Sequence, residues 1–250
     1  MSKQLVYFKD LGRMDYQQAW DYQEKLLQEN IAAKSRRQTG VLFNSPADPS
    51  DSHGEGSQDT TRNYLLFVEH PPVYTLGKSG RQENILIDRE EMHTRGIDFF
   101  HTNRGGDITF HGPGQVVGYP ILDLEKFYTD IGKYLRSLEE VIILTLDEFG
   151  IRGERSAGET GVWIDPGIKG MERKICAMGV RCSRWITMHG FALNINTDLS
   201  YFGHIVPCGI QDKRVTSLAG ELGREIPAAL VKNSVRENFG KVFDCRWRIY

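Results

Sequence analysis

Mostly apolar residues recur at helical spacing along MDYQQAWDYQEKLLQENIAAKSR, where Tyr16, Ala19, Trp20, Gln23, Leu26 and Leu27 fall near one face. That period predicts a helix from about Asp15, a residue suited to the N-cap. The period then stops. Residues Asn44 to Asn63, NSPADPSDSHGEGSQDTTRN, are mostly Ser, Asp, Gly and Pro with no apolar repeat, which predicts a mobile surface insertion. YLLFVEHPPVYTLG reads as a strand, a Pro-Pro stop and a second short strand, and NILI as a further strand. REEMHTRG predicts a short helix ended by Gly96. IDFFHTNRGGDITFHGPGQVVGYPILDL reads as strand, Gly-rich loop, strand, turn, strand. KFYTDIGKYLRSLEEVIILTLDEFG is a second amphipathic helix closed by Gly150, and AALVKNSVRENFGKVF a third. Between them, TGVWID and RKICAMGVRCSRWITMHGFALNIN alternate apolar and polar residues, as antiparallel strands do.

Helices and strand clusters mix without a regular βαβ rhythm. The fold class this predicts is α+β, a mixed or antiparallel sheet packed with helices. Over 250 residues, 40% of them hydrophobic, one domain spanning 1–250 is expected. A net charge of −2 gives no sign of nucleic acid as a partner. MSKQLVYFKD has no apolar run of signal-peptide or membrane-span length, so the expectation is no membrane association and a cytoplasmic protein.

The stretch RGGDITFHGPGQVVGYP holds five glycines and two prolines. It lacks the Lys-Ser/Thr of a phosphate loop, and no helix opens on its glycines as a dinucleotide fingerprint requires. Two readings remain: a pair of tight turns around a short strand, or a ligand site where freed backbone amides meet a carbonyl or an anion. Arg104 at its start and His111 within it favour the second.

Four cysteines form no C-x-x-C pair. Cys176 and Cys182 lie inside strand-like runs, as small buried hydrophobes do. Cys208, between Pro207 and Gly209, sits in a turn-like context instead. A thiol of ordinary pKa, about 8.5, is only a few per cent ionised at neutral pH. A unit cation at ~4 Å in an effective dielectric of ~20 contributes about 4 kcal/mol, enough to lower the pKa by up to ~3 units before desolvation takes some back. Lys174 opens an apolar strand, an odd place for a solubilising lysine; it is either that cation or a lysine on a solvated strand edge. His101, His111, His189, His204 and Cys208 show no metal-ligand spacing, so no metal is expected.

Together, EHPPVYTLGK, RGGDITFHGPGQVVGYPILDL, RKICAMGVRCSRWITMHGFALNIN and IVPCGI with the following VTSL resemble the lipoyl(octanoyl) transferases. The match runs from about Tyr64 to Leu218, four motifs in the family's order. The resemblance implies a fold similar to the catalytic domain of biotin and lipoate protein ligases. It implies transfer of an octanoyl group from octanoyl-acyl carrier protein to a lysine of lipoyl domains, through a cysteine thioester and without a cofactor. The acceptors it implies are the lipoyl domains of 2-oxoacid dehydrogenase complexes and the glycine cleavage H protein. By motif position, Cys208 is the nucleophile and Lys174 the lysine that lowers its pKa. Arg104, Gly105, Gly106, Asp107, Ile108, Thr109, Phe110 and His111 contact substrate, as do Ala177, Met178 and Gly179 and, further on, Gly190, Phe191 and Ala192. Two departures stand out: the Asn44 to Asn63 run is longer than the family's usual connector, and Cys176 replaces a common alanine. An ATP-dependent lipoate ligase and a non-catalytic binder of acyl carrier or lipoyl domains are the alternative readings.

Overall fold

Alternation along Leu65-Leu66-Phe67-Val68 sends Leu65 and Phe67 into one apolar core and Leu66 and Val68 into another. A strand with two buried faces needs cover on both sides, and the helices supply it. The computed structural model describes residues 3–39, 60–206 and 214–249. Its larger sheet has eight strands. These are β1 (Gln4–Arg13), β2 (Asn63–Glu69), β6 (Gln115–Ile121), β7 (Val162–Ile164), β8 (Arg173–Ser183), β9 (Ile186–Asn194), β10 (Arg214–Val215) and β11 (Cys245–Ile249). Their order is β10-β8-β9-β6-β2-β1-β11, with β7 beside β8. The β2–β6–β9–β8 run is antiparallel, whereas β1 pairs in parallel with both β2 and β11, so the sheet is mixed.

Helix α1 (Tyr16–Thr39) lays Ala19, Leu26 and Leu27 on one face, against Val117, Tyr119, Met188 and Ala192. The other face is covered by α3 (Ile131–Glu148) and α5 (Ala228–Val242). Asp130 caps α3 by accepting from Lys133 N at 2.9 Å, and the stripe Leu138, Val141, Ile142 and Leu146 is fully buried. Helix α3 stops where Gly150 takes φ +73°. Burying a leucine or isoleucine side chain contributes about 1.5–3 kcal/mol, so this stripe is a major source of the fold's stability.

A smaller sheet, β4-β3-β5, is formed by β3 (Val73–Leu76), β4 (Asp98–His101) and β5 (Ile108–His111). It has its own core around Tyr74, Leu76 and Phe110. The short helix α2 (Arg89–Thr94), capped by Asp88, brings Met92 into that core. A last short helix, α4 (Leu218–Leu222), follows β10.

Where β6 crosses β9, Gly118 lies against the ring of Phe191, and Gly190 against the carbonyl of Gly118 and the ring of Pro120. Neither position has room for a Cβ. The strands meet backbone to backbone.

Two expectations need correction. The apolar run NILI is not a strand: it spans the end of a 3-10 turn at Gln82–Asn84 and a stretch without regular structure, and only Ile85 makes an isolated bridge, to Ile205. Ile85 and Ile87 cover the small core without needing sheet pairing. The run 44–63 is not uniform either. Residues 44–59 lie outside the described residues, but Thr61 donates to Asp123 Oδ2 at 2.7 Å and Arg62 N to Asn30 Oδ1 at 2.7 Å. Asn63 begins β2 and is 2% exposed.

Candidate active site

The glycines of the 104–107 loop let it lie directly on β8. Gly105 N donates to the carbonyl of Val180 at 2.9 Å. A Cβ on Gly179 would sit 2.6 Å from the carbonyl oxygen of Gly105, so only glycine permits this approach. The same loop is stitched to the turn after β3, where Lys78 N donates to Arg104 O at 2.9 Å.

Between this loop, β8, β9 and the start of α1 lies a cavity of about 620 Å³, within the usual range for small-molecule sites. Arg104, Gly105, Gly106, Asp107, Ile108, Thr109 and His111 line it from the loop and β5, joined by Ala177, Met178 and Gly179 from β8 and Gly190, Phe191 and Ala192 from β9. Lys174 lies in the same wall. Phe110 does not. Strand alternation turns its side chain into the small core, where it stacks on Tyr201 at 4.5 Å between ring centroids.

The polar part of the wall is a chain of hydrogen bonds whose direction is fixed by its donors. Arg104 Nη2 donates to Thr75 O at 2.5 Å and to Thr75 Oγ1 at 2.9 Å. Thr75 Oγ1 reaches His111 Nε2 at 3.4 Å, a long contact. Gln115 Nε2 donates to Phe110 O and to Asn194 Oδ1, which leaves Gln115 Oε1 to accept from His111 Nδ1 at 2.8 Å. Asn194 Nδ2 then donates to Thr216 O at 3.0 Å, just beyond β10. One chain thus runs from the Gly-rich loop across both sheets.

A second pair sits beside it. His70 Nδ1 meets the carbonyl of Met14 at 2.7 Å and must carry the hydrogen, so Tyr119 donates its hydroxyl to His70 Nε2 at 2.8 Å. Burial pushes His70 down to about 4. Burial, aided by neighbouring His70, pushes His111 down to about 3, and burial with Arg104 does the same to His189. All three imidazoles are neutral at pH 7. Burial raises Tyr16, which also lines the cavity, to about 12.

The ammonium of Lys174 lies 4.5 Å from the centroid of the Trp163 ring. Cys176, two residues on, is fully buried in the main core, and burial raises its thiol far above the ordinary range. Cys208 lies outside the described residues, as do 207 and 209–213. The residues on either side are fixed: Val206 N donates to Asn84 O at 2.8 Å, and β10 pairs with β8 so that Val215 stands beside Lys174. Val215 also lines the cavity.

Tyr16, Gln115, Tyr119 and Asn194 are wall residues to which the sequence assigned no site role, and His189, weighed there only as a metal ligand, lines the wall too. Gln115 carried a signal, because it lies within the Gly-rich stretch. Tyr16 carried none, since on a helix with that period it reads as core. Among the described residues no group of three or more His, Cys, Asp or Glu side chains is placed to hold a metal, and no helix is long and apolar enough to cross a membrane.

Residues 15–240 match the lipoyl protein ligase A/B catalytic domain. The chain is 54% identical over 239 residues to a protein of Christiangramia forsetii called Octanoyltransferase, covering 95% of each chain. It is likewise 54% identical over 243 residues to the Octanoyltransferase of Flavobacterium psychrophilum, covering 96% of this chain and 97% of that one. Its fold is shared with a bipartite lipoate protein ligase of Thermoplasma acidophilum, with a TM-score of 0.65 at 14% identity over all of this chain and 87% of that one. The glycine-laid cavity, the lysine in its wall and these full-length likenesses lead to one statement: the chain belongs to the octanoyltransferases of the lipoyl protein ligase A/B catalytic-domain family.

Proposed function

We propose that this protein moves an octanoyl group from acyl carrier protein to the lysine of a lipoyl domain through a thioester on Cys208. The supporting observation is the pairing of β10 with β8. It sets Lys174 in the cavity wall next to Val215, seven residues after Cys208 in the chain. The Cys208 thiolate attacks the carrier thioester carbonyl; the carrier sulfur is expelled as a thiolate and takes up the proton that Cys208 gave up. The acceptor amine then attacks the enzyme thioester, loses a proton and expels the Cys208 thiolate. The first exchange, thioester for thioester, is nearly balanced. The second, thioester to amide, runs downhill, so no nucleotide is needed. The Lys174 ammonium stabilises the thiolate in both steps.

The cavity suits the acyl tail. An octanoyl chain buries about seven CH2 or CH3 groups, roughly 5 kcal/mol at ~0.8 each. Arg104 holds the loop over it. The test is incubation with octanoyl-acyl carrier protein and a lipoyl domain in the absence of ATP. Octanoylated lipoyl domain, together with an octanoyl adduct on Cys208 by mass spectrometry, is the expected result. Transfer that requires ATP and free octanoate would show a ligase instead.

A further inference from the structure

The side chain of Lys174 makes no hydrogen bond or ion pair with any described residue, yet its position is defined. Trp163 on β7 stands opposite it in the antiparallel pairing with β8, and the indole face lies under the ammonium, 4.5 Å from nitrogen to ring centroid. Trp163 is 3% exposed and held from behind, because its backbone exchanges two hydrogen bonds with Glu154, at 2.8 and 2.9 Å. The lysine stem passes Gly161, where a Cβ would come within 3.6 Å of Lys174 Cε and 2.5 Å of the Cys176 carbonyl. Glu139, fully buried on α3, pins that turn by accepting from Gly161 N at 3.0 Å.

We propose that Trp163 is the positioning residue for Lys174: its ring is the seat that fixes the ammonium at the cavity wall. The inference rests on the role given to Lys174 above. A ring face attracts a cation without accepting its hydrogens. The three ammonium hydrogens therefore remain available to a thiolate and to a tetrahedral oxyanion. A carboxylate in the same place would bind the ammonium more strongly and compete with the thiolate for it. An aliphatic side chain would leave the four-carbon stem to choose among its rotamers.

The test is a double-mutant cycle read on thioester formation at Cys208, by rapid quench with octanoyl-acyl carrier protein. Trp163→Leu is expected to slow acylation about three- to tenfold, Trp163→Phe less, with the two variants equally folded by circular dichroism. In the Lys174→Ala background the same two substitutions are expected to change nothing further, because the group they seat is gone. Equal slowing with and without Lys174 would mean that Trp163 only packs, and would overturn the proposal. Wild-type rates in Trp163→Leu would do the same. Should Trp163→Leu not fold, the Phe variant decides by the same comparison. A Lys174→Ala enzyme that acylates at the wild-type rate would remove Lys174 from the chemistry, overturning the proposed mechanism itself rather than only its seat.

Discussion

Asp107 accepts a 2.7 Å hydrogen bond from Asn84 Nδ2 while its other oxygen accepts from Ile108 N, also at 2.7 Å. The carbonyl of the same Asn84 accepts from Val206 N. The Gly-rich loop and the residue leading to Pro207 thus share one anchor. Asp107→Ala is expected to cost about 1 kcal/mol of stability, a typical net value for a hydrogen bond at a half-exposed site. It is also expected to slow Cys208 acylation by more than that loss of folded protein explains. Urea unfolding and single-turnover acylation, done side by side, check both; a stability loss with unchanged acylation would make the anchor purely structural.

On the proposed mechanism, Lys174→Ala removes the cation that stabilises the Cys208 thiolate. The thiol then titrates nearer its ordinary value of about 8.5, the thiolate fraction at pH 7 falls and acylation slows. Because the nucleophile is intact, the rate should recover in part as pH rises from 7 to 9, whereas Cys208→Ala should stay inactive throughout. Fast acylation with a thioester that accumulates at pH 7 would move Lys174 to the second step.

Cys176 is buried among apolar side chains and held as a neutral thiol. Cys176→Ala is expected to keep most transfer activity and lose about 1 kcal/mol of stability, as loss of a small buried group does. Iodoacetamide on the native protein at pH 8 is expected to leave Cys176 unmodified, read by peptide mass.

The buried histidines give the fold an acid limit. His70 and His111 titrate at about 4 and about 3 when folded, against an ordinary value of 6.5. Their folded values are depressed, so the stability they contribute is complete above pH 6.5 and is lost as pH falls toward 4. Over that window the unfolded chain binds protons that the folded chain refuses, and each histidine costs up to about 1.4 kcal/mol per pH unit. Urea midpoints at pH 7, 6 and 5 should fall steadily, and His70→Asn should flatten the slope even if it lowers stability at pH 7.

Replacing residues 44–59 with a short Gly/Ser linker is expected to leave turnover intact, since that composition cannot bury a core. Extending the replacement through Asn63 should destabilise the fold, because Thr61, Arg62 and Asn63 bond to Asp123, to Asn30 and into β2. Thermal melts of the two variants separate the outcomes, and loss of all turnover in a folded 44–59 variant would show that the insertion serves catalysis.

Helices α1, α3 and α5 were legible because each carries a helical period, and α3 also has a cap at Asp130 and a stop at Gly150. Strands β1 and β11 were not legible. The apolar run Leu5-Val6-Tyr7-Phe8 is only four residues long, and in β11 the apolar Cys245, Trp247 and Ile249 alternate with two arginines; the parallel pairing of the two segments, 241 positions apart at Gln4 and Cys245, and of β1 with β2 defines them as strands. The Gly-rich wall could be read because so many glycines in one stretch are costly in conformational entropy and need a reason. The His70–Tyr119 pair and the Gln115–Asn194 link could not, because each joins residues that meet only when separate strands pack.

The backbone crossing at Gly118 and Gly190 also limits how such a protein can evolve. Neither position can drift, since a methyl group on Gly190 meets Gly118 and Pro120, and one on Gly118 meets Phe191. Nearby, Val117, which precedes Gly118, and Ala192, its partner across the β6–β9 pairing, turn their side chains to the cavity. Proteins of this fold that prefer shorter or longer acyl chains are expected to differ at these two positions, while the crossing of Gly118 and Gly190 itself has no room to change.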